Sequence, residues 1–193
     1  MATVTEEETE IEALVVQPTK HYEVVNGEIV EEPPLGVPEG WIAGLLDQTM
    51  GYHARTNRLG RVVPEMLFVL AEEPMLRRRP DVAFVSLERW PLDRAKPRGA
   101  AWDVIPDLAI EIVSPTDWIA DLMDKIEEYF AAGCRAVWVV YPGHNKVYVY
   151  TSTTSVQILQ IGDELDGGEI LPGFRLSLTE LFEIERDGPS PSA

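Results

Sequence analysis

The sequence predicts one α/β domain, a central mixed β-sheet flanked by helices, with an N-terminal β-hairpin. Three observations predict it. Asp103 to Val113 and Arg135 to Tyr141 are near-continuous apolar runs, the pattern of central strands buried on both faces. An amphipathic stretch closed by Gly133 joins them over short connections, which requires a right-handed strand–helix–strand unit with parallel strands. His21 to Val30 alternates around Asn26-Gly27, a dipeptide suited to the type I′ turn of a hairpin.

Taken in order, residues 1–18 are an acidic Thr/Glu-rich stretch, expected to be a disordered tail. The domain is expected over 19–185, and 186–193, rich in Pro and Ser, as a second disordered tail. After the hairpin, Ile42, Leu45, Leu46, Met50 and Tyr52 recur at helical spacing between Glu39 and about Asn57, with Pro38 as the start signal. Arg61 to Leu70 reads as a strand with Pro64 near its start, and Arg79 to Val85 as the next. Glu88 to Ala101, rich in Pro, Arg and Gly, reads as a long loop. Asp103 to Val113 follows as the central strand. Thr116 or Asp117 is the expected N-cap of the next helix, with Trp118, Leu122, Ile126, Tyr129 and Phe130 as its apolar face. Arg135 to Tyr141, Lys146 to Tyr150 and Ser155 to Ile161 supply further strands, and Leu178 to Phe182 a short helix.

Composition excludes several classes. No apolar run approaches the roughly 20 residues of a membrane helix, and the acidic start lacks the basic-then-apolar order of a signal peptide. A single cysteine, Cys134, cannot form an internal disulfide or a cysteine zinc cluster. A cytoplasmic protein without membrane partners is expected. The formal charge of −17 argues against general binding of nucleic acid, whose phosphates are met by Lys and Arg. Yet ten of the sixteen basic residues lie between Arg55 and Arg98, which leaves room for a local basic surface.

The chemistry lies in misplaced acids. Glu111 sits between Ala109-Ile110 and Ile112-Val113, and Asp81 opens an apolar strand after Pro80. An ionised carboxylate taken from water needs a partner, a metal or a proton. Two such acids about 5 Å apart on one face repel by roughly 3 kcal/mol at an effective dielectric of about 20. A divalent cation of the Mg²⁺ type removes that penalty. Asp107 shares the face of Glu111 by even spacing but stands near the strand start, where a turn can satisfy it. Lys125 sits at the edge of the helix's buried face. It either pairs with Asp121 one turn away or reaches the end of the Glu111 strand, where an ammonium orients water or steadies charge on phosphate. His21, His53 and His144 lack metal-ligand spacing, and Cys134 is expected to pack.

Several ordered motifs carry a resemblance. These are Tyr22-Glu23-Val24-Val25-Asn26-Gly27-Glu28, Arg79-Pro80-Asp81-Val82, Pro106 to Pro115, Lys125, Tyr129, Trp138-Val139-Val140 and Leu171-Pro172-Gly173-Phe174. The chain resembles the Uma-type restriction endonuclease family of the PD-(D/E)XK restriction-endonuclease-like superfamily, from about Tyr22 to Phe182. The resemblance implies that fold, a divalent metal (Mg²⁺ or Mn²⁺) held by Asp81, Glu111 and the backbone carbonyl of Ile112, and hydrolysis of DNA phosphodiester bonds by a homodimer. Asp81, Glu111 and Lys125 are the implied catalytic residues. The superfamily's lysine two residues past the second acid is replaced here by Val113, so the role passes to Lys125 on the helix. Glu23 or Glu28 is a candidate further acid. Where family members often carry a histidine at the start of the first long helix, this chain has Glu39-Gly40-Trp41. The alternative is a catalytically inactive module of the same fold that binds nucleic acid or protein.

Overall fold

The computed structural model describes residues 21–115 and 117–183. The tails expected over 1–18 and 186–193 lie outside the described residues. The hairpin is present, with β1 (His21–Val25) paired to β2 (Glu28–Glu32). Asn26 and Gly27 both take positive φ, 54° and 83°, as a type I′ turn requires. Helix α1 (Val37–Thr56) follows, with Pro38 in its first turn.

The run Arg61 to Leu70 is not one strand. It divides into β3 (Gly60–Pro64) and β4 (Phe68–Ala71), which belong to different sheets. Pro64 has no N–H with which to continue a ladder, and Glu65 turns the chain at φ 45°. The strand expected over Arg79 to Val85 starts later, at Val82, and a short separate strand precedes it. β5 (Leu76–Arg78) ends in one sheet and β6 (Val82–Ser86) begins in the other. Between them the Arg79 guanidinium donates to the Glu65 and Tyr22 carbonyls at 2.6 and 3.3 Å and fixes the crossing.

The central strand is shorter than its apolar run: β7 is Leu108–Ile112. Pro106 cannot donate within a central ladder. Helix α2 (Ile119–Ala132) starts later than expected, with Trp118 as N-cap. Asp117 does not cap it; its carboxylate accepts from the Ser114 N–H at 2.8 Å and the Ser114 hydroxyl at 2.6 Å. Thr116 lies outside the described residues. Trp118 is 77% exposed and so stands apart from the buried face of Leu122, Ile126 and Tyr129. Gly133 ends α2 at φ 100°, a left-handed conformation open to glycine.

β8 (Ala136–Tyr141) runs parallel to β7, so the expected strand–helix–strand unit is present. β9 (Lys146–Ser152) and β10 (Ser155–Gln160) continue as antiparallel neighbours. β11 (Glu164–Asp166) and β12 (Arg175–Ser177) form a small ribbon, followed by α3 (Leu178–Glu183).

The main sheet is mixed and six-stranded, in the order β10-β9-β8-β7-β6-β3. A second sheet has the order β2-β1-β5-β4. One face of the main sheet, with Phe84, Leu108, Ile110 and Trp138, packs on Leu46 and Met50 of α1 and on Leu178 and Leu181 of α3. The other, with Val85, Ala109 and Val137, packs on Ile126 and Tyr129 of α2 and on Phe68 of β4. Alternate residues of β7 therefore face different layers, and both layers are filled. Among the described residues no helix is long and apolar enough to cross a membrane.

Candidate functional site

The site forms where β6 and β7 meet at one end of the main sheet. They pair antiparallel, with Val82 opposite Ile110 as the last ladder pair. One step further, the same register sets Asp81 opposite Glu111. Directly opposed positions share a face, with Cβ atoms about 5 Å apart. Asp81 lies one residue outside its strand, and its carboxylate is fixed by the Ile112 N–H, which donates to Oδ2 at 2.6 Å. Glu111 is buried, faces α2, and accepts the Tyr129 hydroxyl at Oε1 at 2.7 Å.

Lys125 projects from α2 toward the same place. Its ammonium lies 3.6 Å from Glu111 Oε2, 3.3 Å from Glu23 Oε1 and 2.7 Å from Glu32 Oε1. The pairing with Asp121 is thus replaced by contacts with three carboxylates from β1, β2 and β7. Glu23 is 1% exposed, not the solvent-facing hairpin residue its alternation suggests. Its other contacts are Arg78 Nη1 at 2.6 Å and the Arg79 N–H at 2.7 Å. Arg78 in turn donates to Glu128 Oε2 at 2.6 Å. Glu28 is exposed and stands outside this cluster.

The cluster opens on a cavity of about 610 Å³ lined by Asp81, Glu111, Ile112, Lys125, Glu32 and Glu39, among others. Glu39, in the first turn of α1, is buried on its wall.

Burial dominates the protonation of the acids. It pushes Glu111 up to about 7, against Lys125 and with the help of Asp81 and Glu23. It pushes Asp81 up to about 7, against the Ile112 N–H and Lys125. Glu32 also rises to about 7, through burial and then Glu23. Burial alone would lower Lys125, but Glu111, Glu23 and Glu32 outweigh it and hold the amine above the usual lysine range. Lys125 is a fixed ammonium, suited to anionic charge rather than to proton abstraction.

Asp107 precedes β7, in even spacing with Glu111 but at the other end of the strand. Asp107 accepts from the Ser86 N–H at 2.8 Å and pairs with Arg89 and Arg135 at 3.1 and 3.7 Å. It ties loops together away from the cavity. The basic interval is divided: Arg55, Arg58, Arg94, Lys96 and Arg98 are exposed, and the rest are partly or fully buried. Arg61 donates to the Trp90 carbonyl, Arg89 to those of Ile105 and Gly133, and Arg94 lies over the Trp90 ring at 3.7 Å. His53 Nε2 donates to the Pro172 carbonyl at 2.9 Å, His21 pairs with Glu65, and Cys134 is buried in the core.

Among the described residues no three His, Cys, Asp or Glu side chains form a ready metal cage. Two carboxylates do not exclude Mg²⁺, which keeps several waters and commonly takes only one or two protein carboxylates. The donors are hard oxygens, and their raised pKa values reflect burial first and mutual repulsion second, both of which a cation relieves. On this chemistry the residues fit a hard divalent ion.

The family model described as "Putative restriction endonuclease", Uma2, matches residues 7–179. The chain belongs to the Uma2 family. A solved structure, described as a putative nuclease belonging to DUF820 from Anabaena variabilis ATCC 29413, aligns with a TM-score of 0.74 at 18% identity. The alignment covers 84% of this chain and 89% of that one, and it shows the shared nuclease-like fold. No curated protein matches the chain. The Uma2 match spans Glu23, Glu32, Asp81, Glu111 and Lys125.

Proposed function

We propose that this Uma2 protein is a divalent-metal-dependent endonuclease that hydrolyses DNA phosphodiester bonds. The observation that supports it best is the opposition of Asp81 and Glu111 across the β6–β7 register, beside the Lys125 ammonium on one open cavity. Asp81, Glu111 and the Ile112 carbonyl are the proposed metal ligands. When bound, the cation polarises the scissile phosphate and acidifies a bound water. The Ile112 N–H holds the Asp81 carboxylate in place. Tyr129 anchors one oxygen of Glu111 and leaves the other toward Lys125. The ammonium balances negative charge growing on the phosphate oxygens. Glu23 and Glu32 keep it charged and aimed at the cavity.

One observation favours the rival, a catalytically inactive binding module of the same fold. The nearest partner of Lys125 is Glu32, at 2.7 Å, and not the proposed metal ligand Glu111. Incubation of the purified protein with supercoiled plasmid and Mg²⁺ or Mn²⁺ separates the readings. Nicking is expected from the wild type and should fall at least about 100-fold in Asp81→Asn and Glu111→Gln. Equal nicking by all three proteins rejects the assignment. Metal binding by calorimetry without any nicking favours the rival.

A further inference from the structure

The exposed cations of this acidic chain gather at the end of the main sheet away from the cavity. At that end Gly60 pairs with Ser86, and the Leu87 N–H donates to the Leu59 carbonyl at 2.9 Å. Arg58 stands exposed just before this junction, where the chain leaves α1. Arg61 of β3 donates to the Trp90 carbonyl, and Trp90 opens the loop that carries the other cations. Arg135, 40% exposed, lies at the same end beside Asp107.

The loop from Pro91 to Ala101 is pinned at its base. The Trp90 and Trp102 rings meet edge to face with centroids 5.2 Å apart, and Trp102 stacks on Phe68 at 5.7 Å. Both indoles are buried, whereas every residue from Pro91 to Ala100 is exposed. Arg94 lies over the Trp90 ring at 3.7 Å, which holds its guanidinium at the loop's base. From Arg94 to Trp102 the chain carries Arg94, Lys96 and Arg98 and no acid, against a net charge of −17 for the whole. Asp93 precedes this run, and Glu88 and Asp103 flank the loop. Among the described residues none of Arg58, Arg94, Lys96 and Arg98 makes an ion pair.

Unpaired, arginine-rich cations fit a polyanion, and arginine forks match phosphate oxygens. The cavity at the other end of the sheet says which polyanion is needed. Its one lysine already faces three carboxylates, so it offers little to the phosphates flanking a scissile bond. Affinity for a duplex comes from Lys and Arg along its backbone, so the grip has to lie elsewhere. Asp81 and Ser86 are separated by extended chain of about 17 Å. Phosphates held at the basic end therefore lie roughly five nucleotides from the proposed metal ligands, at about 3.4 Å per nucleotide. We infer that the Pro91–Ala101 loop, together with Arg58, is a grip for the backbone of duplex DNA, separate from the cavity. This rests on the nuclease reading above and says where the substrate of that site is anchored. The grip needs neither metal nor a particular base sequence.

The test requires no catalysis. Fluorescence anisotropy follows the full chain on a labelled duplex of about 20 base pairs, in EDTA, across a salt series. Log affinity is expected to fall with log salt at a slope of about −3 or steeper. The triple variant Arg94→Ala/Lys96→Ala/Arg98→Ala should bind at least about tenfold more weakly, with a slope shallower by about 2–3. Arg58→Ala should flatten it by about 1, and Arg94→Lys/Arg98→Lys should keep most of the affinity. Asp81→Asn and Glu111→Gln should bind at least as tightly as the wild type, and the loop variants should melt at the wild-type temperature. A wild type that does not bind, or a triple variant with wild-type affinity and slope, overturns the inference. So does salt-sensitive self-association, seen by sedimentation, that the triple variant abolishes while DNA binding is unaltered; the loop would then hold an acidic second copy. Plasmid nicking in Mg²⁺ keeps the two readings apart. Loop-dependent binding without nicking rejects catalysis alone, whereas nicking equal in wild type and triple variant at every salt concentration rejects the grip alone.

Discussion

At the scale of single residues, Lys125 holds together groups that otherwise repel. Its side chain is 15% exposed, and its ammonium faces Glu32, Glu23 and Glu111, each of which is poorly solvated. Breaking a buried ion pair from one side leaves the other charge uncompensated, at a cost of several kcal/mol. The cavity admits water, so Lys125→Ala is expected to lower stability by about 2–3 kcal/mol at pH 8. The loss should shrink at pH 5, because Glu111 and Glu32, raised to about 7, then carry protons in the folded chain. Urea denaturation at the two pH values measures this, and an equal loss at both would separate Lys125 from those acids. The site residues differed in how legible they were. Glu111 was plain because no solvent face exists in Ala109-Ile110-Glu111-Ile112. Glu23 looked ordinary, since hairpin alternation gives no sign that a second sheet and α2 bury the polar position. Glu32, at the end of β2, carried no signal, for its partner is 93 residues away. Arg78, inside Arg77-Arg78-Arg79, counted toward a possible basic surface and is instead the buried counter-ion of Glu23.

At the scale of elements, the strand–helix–strand unit was readable because apolar runs and a left-handed Gly133 are local signals. The switches between sheets were not. Arg61 to Leu70 is uniformly apolar enough for one strand, and the break depends on where Pro64 and Glu65 must turn to bring Asp81 beside β7. The Glu65 N–H donates to the Asp81 carbonyl at 3.0 Å, so the turn that ends β3 also steadies the segment bearing the acid. Two glycines separate local from tertiary demands. A Cβ at Gly60 would strike the Val85 carbonyl and the Phe84 ring, because β3 closes tightly on β6. Gly60→Ala should cost about 2–3 kcal/mol, as overpacking does, and loosen the sheet edge next to the α1 terminus. A Cβ at Gly44 meets nothing within 4 Å, on an exposed face of α1. Gly44→Ala is expected to stabilise the protein by up to about 1 kcal/mol through helix propensity. Thermal melts of both variants give opposite signs if the packing is as described.

At the scale of the whole molecule, the acids of the site set how stability follows pH. In the unfolded chain Asp81 ionises near 3.8, and Glu111 and Glu32 near 4.5; in the folded chain all three hold protons until about 7. Between about pH 4 and 7 the unfolded state therefore binds fewer protons than the folded one. Linkage then requires stability to fall as pH rises through that window, with no further loss from these groups above it. Their burial and mutual repulsion are the folded-state cost a cation is suited to relieve, and it binds only the deprotonated carboxylates. At about 100 times its Kd, Mg²⁺ should stabilise the protein by about 2.7 kcal/mol at pH 8, raising the melting temperature by roughly 5–10 °C for a chain of this size. At pH 5 the same Mg²⁺ should shift it little, since protons occupy the site. Asp81→Asn and Glu111→Gln should melt higher than the wild type at pH 8 without metal and lose the Mg²⁺ response. The net charge of −17 also disfavours the folded state as pH rises, but that background is shared by wild type and variants. A Mg²⁺ shift that is equal at pH 5 and pH 8, or that persists in both variants, would place the cation elsewhere on this acidic surface.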